Sequence, residues 1–112
     1  MKRIYIILIV VFSLVACANS VEKQVKQNAF IEVAMLKYQF IPKVLEIDVG
    51  QTVRWVNKEK RQYHSVWFEK HGSVESEYLF PEDIWIKTFD KPGTYDYRCG
   101  PHPEMVGKVV VQ

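Results

Sequence analysis

Residues 93–111 read GTYDYRCGPHPEMVGKVVV. The turn residues Asp90-Lys91-Pro92-Gly93 lead into this stretch. Tyr95, Tyr97 and Cys99 then alternate with Asp96 and Arg98, which puts the first three on one face of a strand. Pro101 and Pro103 stop that strand, since each fixes φ and removes an N–H. Lys108-Val109-Val110-Val111 resumes an extended pattern and closes the chain. Between the two strands lies CGPHPEM, residues 99–105, with Cys99, His102 and Met105 at three-residue intervals on one stiff loop. Their side chains can meet at one point.

Upstream, the β pattern continues. Phe30 to Leu36 reads as a first strand. Leu45, Ile47 and Val49 alternate with Glu46 and Asp48, the signal of a half-buried strand. Gly50-Gln51 turns the chain and Thr52 to Asn57 returns, a hairpin-like arrangement. After the charged loop Lys58-Glu59-Lys60-Arg61, His64 to Glu69 is expected as a strand, with His64, Val66 and Phe68 on one face. Ile84 to Phe89 is another. Six or more short strands with regular turns and no convincing long helix point to an all-β sandwich. A domain of about 83 residues can bury only a small core, to which a bound metal would add stability.

The N-terminal segment differs. Lys2 and Arg3 precede an apolar run from Ile4 to Ala16, broken only by Tyr5 and Ser13. A membrane-spanning helix needs about 20 residues, so this shorter run reads as a secretory signal over residues 1–16. Leu14-Val15-Ala16-Cys17 resembles a bacterial lipobox, which implies lipidation of Cys17; the alternative is an ordinary signal cut near Ala18. Residues 17–29 are then the lipidated cysteine and a polar tether reaching about 20 Å, ahead of a domain over 30–112. Without Lys2 and Arg3 the 15 basic residues become 13, against 13 acidic ones. The exported domain is near neutral, which gives no basis for nucleic-acid binding. With Cys17 lipidated, Cys99 has no disulfide partner, and a metal is the natural holder of its sulfur.

Thiolate, imidazole and thioether are soft or borderline ligands that suit copper; two histidines, one cysteine and a distant axial methionine make the blue-copper set. The loop supplies three of the four. His64 is favoured as the fourth, because it lies on the face shared with Val66 and Phe68. His71, in the polar stretch Lys70-His71-Gly72-Ser73, is the alternative. A structural zinc site normally closes without methionine, and a binuclear copper–thiolate site needs a second loop cysteine. Trp55, Trp67 and Trp85 read as packing rather than as an electron path, Met35 as core, and Lys58, Lys60, Arg61 and Lys70 as a solvated surface.

The stretch GTYDYRCGPHPEMVGKVVV resembles the C-terminal signature of the cupredoxins, the small blue copper proteins. Its Cys-x2-His-x2-Met spacing is that of the short-loop, amicyanin-type subgroup; the plastocyanin and pseudoazurin loops are longer. Val49 to Asn57 resembles the hairpin ahead of that family's first histidine. The resemblance implies a Greek-key β-sandwich of about seven to eight strands and one type 1 copper held by His64, Cys99, His102 and Met105. Three positions depart from the family pattern, one of them Tyr63, which stands where a Pro often precedes the histidine. Ser65 stands where an Asn usually follows the histidine, and Gly100 where Ser or Thr usually follows the cysteine. Those partners usually tie the two ligand segments together, so the tie must be remade or absent.

The expected function is single-electron transport by a monomer, not an enzyme, since the chain offers no nucleophile or acid–base arrangement apart from the metal set. The alternative is a lipoprotein that stores or delivers copper. The resemblance implies electron entry at the His102 edge, beside Pro101 and Pro103, and a c-type cytochrome or a periplasmic dehydrogenase as redox partner. Location at an extracytoplasmic membrane face follows from the lipid anchor. Proton and metal compete for an imidazole nitrogen, so release of His102 from Cu(I) is expected at mildly acidic pH.

Overall fold

Ile31, Val33 and Met35 alternate with outward residues, and this period of two makes Phe30–Leu36 the first strand, β1. It is followed by β2 (Gln39–Ile41), β3 (Val44–Ile47), β4 (Thr52–Asn57), β5 (Ile84–Thr88), β6 (Gly93–Arg98) and β7 (Val106–Val111). The computed structural model describes residues 30–112. The expected signal, the Cys17 lipid site and the tether lie outside the described residues.

The strands form two sheets, ordered β2-β1-β4-β5 and β3-β7-β6. In the first, β1 runs parallel to β4 with Val33 opposite Trp55, and β5 lies antiparallel to β4 with Trp85 opposite Trp55. In the second, β7 runs parallel to β3 and antiparallel to β6, with Tyr97 opposite Gly107. The inner faces meet over Val33, Met35, Trp55, Phe68, Tyr97 and Val109. This is the expected all-β, Greek-key sandwich, with seven strands among the described residues. Met35 is core, as expected, and Trp55 packs its ring among Phe68, Trp85 and Tyr97.

Two local expectations are corrected, and one short strand goes unforeseen. Residues 45–49 and 52–57 do not form a hairpin. Val49 donates its N–H to Gln112 at the end of one sheet, while Gly50 donates to Phe89 in the other. With Gly50 at φ 89°, the corner hands the chain between sheets, and a turn signal alone does not separate that corner from a hairpin. Residues 64–69 do not form a strand either. His64 bridges to Leu79 and Trp67 to Arg98, so the segment changes neighbours too soon for a ladder and ends in the 3-10 turn Glu69–His71. The short β2 carries no sequence signal, because its turn uses Lys37 and Tyr38 at φ 53° and 58°, where Gly or Asn is the usual choice.

Candidate metal centre

Cys99 follows directly on β6, with its side chain fully buried. The loop behind it is closed by two backbone bonds. Cys99 N–H donates to the Met105 carbonyl and Met105 N–H to the His102 carbonyl, both at 2.9 Å. These bonds and the two prolines turn the His102 ring back over Cys99. Met105 is buried at the start of β7. His64 arrives from across the sandwich, clamped to Leu79 by a backbone bond in each direction. His71 is exposed, with its ring against Tyr95, and does not belong to this group.

Three donor atoms converge. His64 Nδ1 lies 3.1 Å from His102 Nδ1, and Cys99 Sγ lies 3.7 Å from the former and 3.5 Å from the latter. Atoms with these separations sit on a circle of radius about 2.0 Å, close to metal–nitrogen and metal–sulfur bond lengths of about 2.0–2.3 Å. Among the described residues this is the one cluster of three such side chains able to hold a metal. Two nitrogens and a sulfur in a trigonal set fit copper.

The surroundings prepare the donors. Burial lowers the His64 pKa, partly offset by the hydrogen bond to Glu59, so the ring is neutral. Its Nε2–H donates to Glu59 Oε1 at 3.2 Å, leaving the Nδ1 lone pair aimed at the cluster. The same oxygen accepts the Tyr38 N–H at 3.0 Å. Asn57, fully buried, holds this loop in shape. Its amide donates to the Gln62 and Leu79 carbonyls, and its oxygen accepts the Glu59 N–H. Burial raises the Cys99 thiol, against which the Ser65 N–H, 3.4 Å from the sulfur, favours the thiolate. The Tyr38 ring meets the His102 and His64 rings edge-on, at 4.8 and 5.6 Å between centroids.

Glu59, Asn57 and Tyr38 were not singled out from the sequence. Glu59 sits in the run Lys58-Glu59-Lys60-Arg61, whose composition reads as solvated. Its only sequence signal is being the lone acid among basic residues, five places before His64. Lys60, Arg61 and Lys70 are exposed, and Lys58 lies 3.9 Å from Glu32. Trp67 packs beneath the Arg98 guanidinium, 4.5 Å from its ring centre.

A family model described as copper-binding proteins of the plastocyanin/azurin family matches residues 27–112. The amicyanin of Paracoccus denitrificans is 38% identical over 86 residues, 73% of this chain and 63% of the relative, so the match spans less than two thirds of that protein. The amicyanin-alpha of Methylorubrum extorquens is 39% identical over 72% of this chain and 71% of its own length. A plastocyanin from Prochlorothrix hollandica is 35% identical over 63% of this chain and 61% of its own length. Among solved structures, an oxidised methionine-to-leucine mutant of amicyanin superposes with a TM-score of 0.70 at 36% identity, over 73% of this chain and 81% of the other.

Proposed function

The chain belongs to the plastocyanin/azurin family of copper-binding proteins, and from that premise we propose that it is a membrane-anchored, exported carrier of single electrons. The proposed ligands of its one copper are His64, Cys99, His102 and Met105. What the ion supplies when bound is a one-electron change between Cu(II) and Cu(I). The observation that carries this reading is the convergence of Cys99 Sγ and two imidazole Nδ1 atoms within 3.7 Å of one another.

The residues around the donors support a carrier rather than a store. His64 is held through its far nitrogen by Glu59 and through its backbone by Leu79. Cys99 is held by the Ser65 N–H and by the closed loop. A cradle fixed on every side favours the same geometry in both oxidation states, which keeps the barrier to electron exchange low. His102 is half-buried and is the ligand nearest solvent. Around it stand Pro101, Pro103 and Tyr38, and Tyr63 stacks with Tyr78 and Phe80 beside it. This apolar rim suits brief docking of a redox partner over a small interface. A c-type cytochrome or a periplasmic dehydrogenase is the partner type that the family resemblance suggests.

Anchoring rests on Leu14-Val15-Ala16-Cys17. Residues 1–16 are proposed as the signal, Cys17 as the lipid site and residues 18–29 as the tether of a monomeric domain over 30–112. Among the described residues no helix is long and apolar enough to cross a membrane.

The test is to load the purified protein with one equivalent of Cu(II). An intense blue colour, a narrow copper hyperfine splitting and fast electron self-exchange are expected. A colourless product, or a Cys99→Ser variant with the same colour, refutes the copper site. A blue protein that exchanges electrons slowly and gives up copper readily to a chelator refutes the carrier. Cys17→Ser should move the protein from the membrane to the soluble fraction, and unchanged partitioning refutes the anchor.

A further inference from the structure

Ser65 and Gly100, the two residues that follow the first histidine and the cysteine, form a tie of their own. The Gly100 N–H donates to Ser65 Oγ at 2.8 Å. That hydroxyl, its acceptor side occupied, donates its single proton to Glu75 Oε1 at 2.7 Å. Ser65 is fully buried and its own N–H points at Cys99 Sγ. Glu75 is half-buried and comes from the loop before β5, ten residues beyond Ser65. It fills the space that a side chain at position 100 would take. A Cβ there would fall inside the Glu75 carboxylate and 2.9 Å from Ser65 Oγ.

We propose that Glu75 is a positioning residue of the metal centre: through Ser65 it locks the Cys99 segment to the His64 segment and sets a carboxylate against Gly100, the residue after the cysteine, thereby biasing the site toward Cu(II). The inference rests on the copper reading above. Gly100 and Glu75 are two halves of one device, since the carboxylate has room only because residue 100 lacks a side chain. Ser65 carries the contact onward: its hydroxyl holds the Glu75 carboxylate, and its N–H lies 3.4 Å from Cys99 Sγ. A negative charge this close to the cysteine favours the more positive oxidation state of a metal bonded to its sulfur.

Glu75→Gln keeps an oxygen acceptor for Ser65 and removes the charge. The purified Glu75→Gln protein should bind one equivalent of copper and keep its copper-free melting temperature. Its Cu(II)-over-Cu(I) preference should fall about tenfold, read as a reduction potential higher by about 59 mV for a one-electron couple. A potential equal to that of the parent overturns the electrostatic role. The tie is tested separately in the copper-free protein. Gly100→Ala should lower the melting temperature strongly in the parent and much less in a Glu75→Ala background, where only the Ser65 hydroxyl still crowds the added methyl. Equal losses in the two backgrounds overturn the tie. If the parent itself takes up no copper, the copper reading fails while the Gly100 and Glu75 cycle still reports on the tie, so the two failures are distinguishable.

Discussion

Replacing Glu59 by Ala removes one carboxylate oxygen that accepts from two donors, His64 Nε2–H and Tyr38 N–H. The two losses differ. Tyr38 is 47% exposed, so water can take its N–H at little cost. His64 is 0% exposed, and its Nε2–H is left without a partner. An orphaned buried donor costs about 1–3 kcal/mol. For a domain of this size, a loss of about 2 kcal/mol lowers the melting temperature by roughly 10 °C. The ring also loses what fixes its tautomer and orientation, and loss of such a partner weakens metal binding by about 10- to 100-fold. The assays are thermal unfolding of the copper-free protein and competition for copper against a chelator of known affinity. Glu59→Gln, whose amide oxygen can still accept from the imidazole, should lose less than Glu59→Ala in both. If Glu59→Ala stays within about 0.5 kcal/mol of the parent, as an ordinary surface substitution would, and holds copper as tightly, then Glu59 does not orient His64.

The copper-free fold should be most stable between pH 6.5 and 9.0, the ordinary values of the two buried groups. Burial lowers the folded His64 pKa, so below 6.5 the unfolded chain takes a proton that the folded one refuses, and stability falls as pH falls; burial raises the Cys99 pKa, so above 9.0 the unfolded chain releases a proton that the folded one keeps, and stability falls as pH rises. A denaturant midpoint that is flat across both limits refutes this. Gly107→Ala drives a methyl group into the phenol end of Tyr97, whose ring is buried against Phe40, Trp55 and Phe68 and cannot retreat. The expected cost is about 1–3 kcal/mol, and an unchanged midpoint in chemical denaturation contradicts it. Asn57→Leu leaves the Gln62 carbonyl and the Glu59 N–H without their side-chain partner and the Leu79 carbonyl with only its bond from the His64 N–H. It should cost about 2 kcal/mol or more and slow copper uptake by loosening the loop that carries Glu59 and His64; stopped-flow mixing with Cu(II) checks this.

The proposed donors were legible in the sequence for a reason that does not extend to what holds them. Cys99, His102 and Met105 share one loop, so chain connectivity alone brings them near one another. His64 was legible through its apolar neighbours Val66 and Phe68, and it keeps its inward place even though the segment is no strand, because Leu79 bonds His64 while Arg98 bonds Trp67 three residues on. Alternation reports burial, and burial survives a wrong guess about pairing. Which strands pair is another matter. The corner at Gly50 looks the same in sequence whether the chain doubles back or crosses to the other sheet, since the choice is made by Gln112 and Phe89, 62 and 39 residues further on. Hydrogen-bond partners are harder still. Glu59 and Glu75 lie in polar loops whose composition predicts solvation, and a single inward carboxylate does not alter that composition. The sequence shows Gly100 only as a missing side chain, which marks a lost tie just as well as a vacated space. The difference is a carboxylate 25 residues away along the chain, placed by the fold within reach of Ser65. A candidate donor set is local chemistry and can be proposed along the chain, whereas the tuning of each donor depends on contacts that exist only after the two sheets have closed.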